Sequence, residues 1–277
     1  MNTTLEDCYQ TLGFDSAPFS ITPDSSLLFQ GAQYVTAFNE TRHACLHGAL
    51  ALLSGEVGLG KTLIVRCVMR SLPPQVRVAY LLNPLLDFTD LLRTVCGEFE
   101  LDADPSALSF SGLYQALVQH VLLQAAEGQR FVVIADEAHR LSVDSLELLR
   151  LLSNLETEQT KLISVVLVGQ PELERTLQMR AMRPLRERIG VWVHLSAMRS
   201  EDCAAYVRHR IALTHRAGDF AFTDTALWWI HRQTGGVPRR INLACDRALM
   251  LACAAGSRRV GWRMARTACG EVARAWA

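Results

Sequence analysis

Over roughly the first two thirds of the chain, short and almost wholly apolar runs alternate with segments whose apolar residues recur every three or four positions. Leu46–Ser54, Val76–Leu82, Phe131–Ala135, Leu162–Gly169 and Gly190–Leu195 are the apolar runs. Runs of that length and composition predict strands covered on both faces. Lys61–Ser71, Phe88–Glu100, Ser111–Ala126, Ser142–Glu158 and Pro171–Arg188 carry the helical spacing, as in Leu146, Leu148, Leu149, Leu152 and Leu155. Strands interleaved with helices predict an α/β fold with a mainly parallel sheet flanked by helices. After Leu195 the strand-like runs stop. Ser200–Arg216, Asp224–Thr234, Arg239–Ala255 and Val260–Trp276 read as helices, with Ser200-Glu201 and Thr223-Asp224 as starts. The expected division is an N-terminal segment with a first helix over 1–45, an α/β core over 46–195 and a small all-helical domain over 196–277.

Composition agrees with a globular protein: 277 residues, 49% apolar and 20% charged. No apolar run reaches the roughly 18 residues of a spanning helix. The start, MNTTLEDCYQ, has neither the basic nor the apolar region of a signal peptide. Eight cysteines are scattered without a CxxC pair or metal-ligand spacing, so they are expected as reduced thiols of the core in a cytoplasmic protein. Basic and acidic residues balance at 28 each, yet Met1–Ala138 holds 7 and 15 of them and His139–Ala277 holds 21 and 13. Only two of the basic residues, Lys61 and Lys161, are lysines. A lysine at a chemically meaningful spacing is therefore informative.

Lys61 has such a spacing. Gly55-Glu56-Val57-Gly58-Leu59-Gly60-Lys61-Thr62 fits G-x-x-x-x-G-K-[ST], after an expected strand and at the start of an expected helix. Glycines let successive backbone N–H groups turn inward on phosphate oxygens, and the helix N-terminus adds partial positive charge. Lys61 would reach the outer phosphates and the Thr62 hydroxyl would hold Mg²⁺. Downstream, the apolar strand Phe131–Ala135 ends in Asp136-Glu137. Placed beside the strand that precedes the loop, it would deliver Asp136 to the Mg²⁺ shell, and Glu137 would polarise a water for attack on the terminal phosphate. Ala138-His139 completes a DEAH string, with none of the further helicase motifs. His139 is expected as a surface or hinge residue.

In their order, GEVGLGKT, VVIADEAHRL, VLVGQPEL, PLRERIG and GGVPRRINLACDRAL resemble the AAA+ ATPases, and more narrowly the general secretion pathway protein A family with its short MshM-like pilus-biogenesis branch. The stretch Tyr9–Phe29, with its Pro-Phe and Thr-Pro-Asp, resembles the opening segment of that family. The resemblance implies a P-loop NTPase core followed by a helical lid, with ATP and Mg²⁺ as ligands. Gln170 corresponds to the sensor-1 residue, Arg239 to the sensor-2 arginine of the lid, and Arg188 to an arginine finger acting on a neighbouring subunit. Arg186 and then Arg183 are the fallbacks for that last role. Absence of an NKxD sequence favours ATP over GTP. Leu59 and Arg240 depart from the family pattern, which usually has a small polar and an apolar residue there. The secretion protein continues into a membrane span and a peptidoglycan-binding region. This chain ends at Ala277 without them, as the short branch does. The resemblance implies a homo-oligomer that serves pilus or secretion assembly proteins at the inner membrane. The alternative is an ATP-dependent DNA-binding regulator of the transposition type, suggested by Arg258, Arg259, Arg263, Arg266 and Arg274, although only Trp262 and Trp276 interleave that run.

Overall fold

The computed structural model describes residues 5–20, 28–82, 87–101, 108–158, 160–215 and 218–273. They form two compact units, one of residues 33–57 and 64–195, the other of residues 1–32, 58–63 and 196–277. The first unit is built on β1 (Leu50–Gly55), β2 (Val76–Leu81), β3 (Arg130–Ala135), β4 (Ile163–Gly169) and β5 (Ile189–Leu195). All neighbouring pairs are parallel, in the order β2-β3-β4-β1-β5. The strand carrying Asp136 is thus not beside β1, as expected from the sequence. β4 lies between them, and its own carboxyl end delivers Gln170 to the interval.

β1 and β4 are buried at every position and β3 at all but the first, as near-continuous apolar runs require. β5 differs. It is an edge strand in which Gly190, Trp192 and His194 face outward, with Trp192 43% exposed. Its apolar composition alone could not distinguish an edge from a centre. The first helices along the chain are α1 (Leu5–Thr11), α2 (Ala32–Leu46) and α3 (Lys61–Ser71), and helix ends follow local chemistry. α4 (Phe88–Glu98), α5 (Phe110–Ala126) and α6 (Val143–Leu152) are capped by Asp87, Ser109 and Ser142, whose side chains accept from the N–H three residues on. α6 stops six residues before the expected Glu158, because the chain turns back through the bridge of Glu156 with Lys161. The expected helix Pro171–Arg188 is three pieces: α7 (Pro171–Leu177), a 3₁₀ turn at Arg180–Met182 and α8 (Arg183–Arg186). Pro184 sits in the first turn of α8, where its missing N–H costs nothing, and it could not have continued a helix from before.

The second unit contains α9 (Ser200–Thr214), α10 (Asp224–Thr234), α11 (Pro238–Ala254) and α12 (Trp262–Ala273), close to the expected boundaries. It also holds a parallel pair of two-residue strands, β6 (Ala221–Phe222) and β7 (Arg259–Val260), too short to leave a pattern in sequence. The N-terminal segment packs here. The buried Arg210 donates to the carbonyls of Pro18 and Ser20 (2.6 and 2.9 Å), Tyr9 donates to Asp246, and Phe14 stacks edge-on with His215 and Phe220. The Thr22-Pro23-Asp24 part of that segment lies outside the described residues, as do Arg274 and Trp276 of the basic tail. Arg258 pairs with Asp219, and Arg266 lies over the Trp262 ring. Arg240 is exposed, so its departure from the family pattern leaves the packing of α11 undisturbed. All eight cysteines are free thiols and six are buried.

Candidate functional site

The loop 55–62 joins β1 to α3 (Lys61–Ser71). Gly58 and Gly60 have φ of +82° and +96°, angles that favour glycine and that turn consecutive N–H groups to one side. Lys61 opens α3 and is buried, and Thr62 follows it, so the N–H groups of the first helical turn, which have no carbonyl four residues back within the helix, lie at the loop. Leu59, the departure from a small polar residue, is 1% exposed and serves as a packing residue.

The first turn of α11 approaches the same loop. The Arg239 N–H donates to the Gly58 carbonyl (3.2 Å). A Cβ on Gly58 would stand 2.8 Å from the Arg239 Cβ and 3.2 Å from Val237 Cγ1. Glycine at 58 is therefore what lets the N-terminus of α11, with the exposed Arg239 side chain, close on the loop.

At the carboxyl edge of the sheet, Asp136 is 2% exposed and both its oxygens are engaged: the Tyr80 hydroxyl donates to Oδ2 (3.0 Å) and the Glu137 N–H to Oδ1 (2.9 Å). Burial and the adjacent carboxylate push the Tyr80 phenol far above its ordinary value, so it remains a donor. Glu137 has φ +55°, one of two non-glycine residues in the left-handed region among those described. Such backbone is costly and persists where surrounding structure imposes it, here at the start of a 3₁₀ turn over Ala138–Arg140. Gln170 precedes α7, and its Nε2 lies 3.4 Å from Glu137 Oε2 and 3.1 Å from His139 Nε2. Of the surface or hinge position expected for His139, the surface position is overturned. The side chain is only 14% exposed, and it belongs to this cluster rather than to the surface.

A second polar group ends β1 and β5. His194 Nδ1 lies 3.0 Å from both Ser54 Oγ and Glu174 Oε1. Burial alone would raise the Glu174 carboxyl, but hydrogen bonds from Ser54 and His194 outweigh it and hold the group below the usual carboxylate range. A depressed carboxylate stabilises the fold fully above its unfolded pKa, and that stability is lost as pH falls through the folded value. Glu174→Gln is expected to lower the thermal midpoint at pH 7 by an amount that persists down to about pH 4.5 and shrinks below it. A difference independent of pH would show that the ionised form is not what stabilises.

Of the three arginines before β5, Arg183 pairs with Glu187 (2.7 Å) and Arg186 donates to the Leu177 carbonyl and Gln178 (3.3 and 3.1 Å). Arg188 is exposed, and its side chain makes no hydrogen bond to any described residue, although with Lys161 its charge helps hold the Glu156 carboxyl below the usual range. Among the described residues no three His, Cys, Asp or Glu side chains converge as a metal site. Mg²⁺ suits this chemistry even so, since it binds through one carboxylate and a hydroxyl when phosphate and water oxygens complete its shell. Tyr80, His194 and Glu174 were not singled out by sequence reasoning, and His139 was not placed in the site, because each meets its partner across the sheet.

The AAA domain family model matches residues 45–177. General secretion pathway protein A of Aeromonas hydrophila is 42% identical over 252 residues, which are 91% of this chain and 46% of that protein. The chain thus spans about half the length of that relative. Among solved structures, Cdc6p from Pyrobaculum aerophilum superposes with a TM-score of 0.69 at 17% identity, over 89% of this chain and 68% of that one. The ADP form of the Aeropyrum pernix ORC2 protein gives 0.64 at 20%, over 94% and 73%. The Thermotoga maritima RuvB Holliday junction branch migration motor gives 0.59 at 18%, over 95% and 74%. At these identities the likeness is one of fold.

Proposed function

We propose a function for a chain that belongs to the AAA+ P-loop ATPases and is related to general secretion pathway protein A: it hydrolyses ATP with Mg²⁺ and uses the cycle to assemble a pilus or secretion apparatus. In this reading the backbone N–H groups of Gly55, Glu56, Val57, Gly58, Leu59 and Gly60, with Lys61, hold the phosphates. Thr62 and Asp136 hold Mg²⁺, which supplies charge neutralisation at the phosphates. Glu137 takes a proton from the attacking water while Gln170 orients it, and Arg239 reaches the phosphates from the lid. The observation that carries the reading is the meeting of Glu137 with Gln170 at the carboxyl edge of a sheet whose β1 runs directly into the G-x-x-x-x-G-K-T loop. A phosphate loop without an acid–base residue near it would support binding alone.

Arg188 acts in trans in this proposal, on ATP held by a neighbouring copy. Its support is the contrast with Arg183 and Arg186, which are spent on contacts within the chain. The assembly role rests on the secretion relative, and with it a cytoplasmic position at the inner membrane. No helix of the described residues is long and apolar enough to cross a membrane. The test is Mg²⁺-dependent phosphate release by the purified protein, repeated on mixtures of Arg188→Ala and Lys61→Ala subunits. Each variant alone should be inactive, and mixing should restore part of the rate through interfaces that combine an intact loop with an intact finger. No recovery at any ratio would remove the trans role of Arg188. No phosphate release by the wild type would remove the ATPase reading itself.

A further inference from the structure

We infer that His139 is a positioning residue for hydrolysis: its Nε2 sets the direction of the Gln170 carboxamide, and through that amide the place of the Glu137 carboxylate. The inference rests on the ATPase reading and deepens it at a residue which that reading does not use.

Three side chains meet in one triangle. Gln170 Nε2 is 3.1 Å from His139 Nε2 and 3.4 Å from Glu137 Oε2. His139 Nε2 and Glu137 Oε2 are 3.6 Å apart, beyond a hydrogen bond. The imidazole therefore reaches the carboxylate by way of the amide. A carboxamide nitrogen carries two hydrogens, so it can donate one to each neighbour, provided that His139 Nε2 presents a lone pair. If Nε2 carried the proton instead, the amide would have to turn its oxygen toward the ring, and Glu137 would face an acceptor rather than a donor.

The rest of the cluster leaves the ring little else to do. His139 Nδ1 is buried and has no hydrogen-bond partner among the described residues. Ala138 before it is fully buried. At the end of β4, a Cβ on Gly169 would come within 3.3 Å of the His139 backbone nitrogen and 2.8 Å of Leu173, so the turn is pressed directly against the strand that carries Gln170. Glu137, meanwhile, starts from a left-handed backbone, which fixes where its side chain leaves the main chain. What remains free is the rotation of the carboxylate, and Gln170 is the group that restrains it. A histidine kept in place at the cost of a buried, unpartnered nitrogen is better explained by this task than by filling space.

The experiment is steady-state ATP hydrolysis, with nucleotide affinity read separately from a fluorescent ATP analogue. His139→Ala should lower kcat about tenfold and leave affinity within about twofold, since binding does not pass through this triangle. His139→Gln keeps an acceptor near the Nε2 position and should recover most of the rate. Adding His139→Ala to Gln170→Ala should cost at most a further twofold, because both remove the same link. An unchanged kcat in His139→Ala, independent multiplicative losses in the double variant, or a His139→Gln protein that folds but is as slow as the alanine variant would overturn the inference. If His139→Ala does not fold, His139→Gln compared with Gln170→Ala decides in its place: wild-type-like turnover in the first with a loss in the second is expected, and equal losses are not. Glu137→Gln serves as the control. Turnover lost in that control but intact in His139→Ala defeats the inference alone, whereas wild-type turnover in the control defeats the ATPase reading and the inference with it.

Discussion

Glu137→Gln is expected to retain nucleotide binding and to lose hydrolysis by a factor of about one hundred to one thousand. The substitution keeps the volume of the side chain and a carbonyl oxygen that can still accept from Gln170 at the present 3.4 Å. What it removes is the capacity to take a proton. The Asp136 oxygens stay engaged through Tyr80 and the backbone N–H of residue 137, which the change does not touch. Glutamine meets the same left-handed backbone as glutamate, so its cost there is the same and the thermal midpoint should move little. Phosphate release under saturating ATP, beside binding of a fluorescent analogue, separates the two properties. Turnover at the wild-type rate would mean that another group activates the water.

Gly236→Ala is expected to destabilise the helical unit by on the order of 3 kcal/mol. Gly236 has φ +73°, and an added Cβ would fall 2.2 Å from the Met198 carbonyl oxygen and 3.1 Å from the Met198 carbonyl carbon and nitrogen. All three are backbone atoms. They are also held in place, since the Met198 N–H donates to the Gly236 carbonyl (2.9 Å) and a His231 ring nitrogen lies 3.0 Å from the Met198 oxygen. Neither side can yield without breaking a hydrogen bond. The neighbouring Gly235 supplies an internal control. It caps α10 at φ +62° with nothing within 4 Å of its missing Cβ, so Gly235→Ala should cost only the left-handed penalty, about 1–2 kcal/mol. Chemical unfolding followed by circular dichroism measures both. Equal losses would show that the close approach of Met198 is not the deciding contact. Arg239 lies three residues beyond Gly236, so a displaced start of α11 should also weaken nucleotide binding in this variant.

Much of the architecture could be read from local pattern. The strands lie within a few residues of their expected limits, α3 and α10 match theirs, and the glycine loop and the Asp136-Glu137 pair stand at the strand ends where their chemistry is useful. These features are legible because they report what one segment must do alone: bury both faces, present an apolar stripe, or bend through glycine angles. Where a segment could satisfy its own requirements in more than one way, the pattern misled. The apolar run of β5 reads like a central strand, yet it lies at an edge with Trp192 outward. Periodicity over 171–188 reads as one helix, while Pro184 makes it several pieces.

The order of strands belongs to tertiary structure. Inserting β4 between β1 and β3 puts Gln170 in position to meet Glu137, 33 residues earlier in the chain, and makes His139 part of the cluster instead of a surface residue. Arg210 meets the carbonyl of Pro18 across 192 residues, and no spacing in the sequence announces that pairing. By itself, then, the amino-acid sequence determined which segments are strands and helices and where the chain bends through a glycine-rich loop into a helix, because those properties arise within a few bonds of each other. Which side chains stand beside the Glu137 carboxylate, the proposed base, was decided by the tertiary structure. A hydrogen bond acts over about 3 Å, and only the folded sheet brings residues so far apart along the chain to that distance.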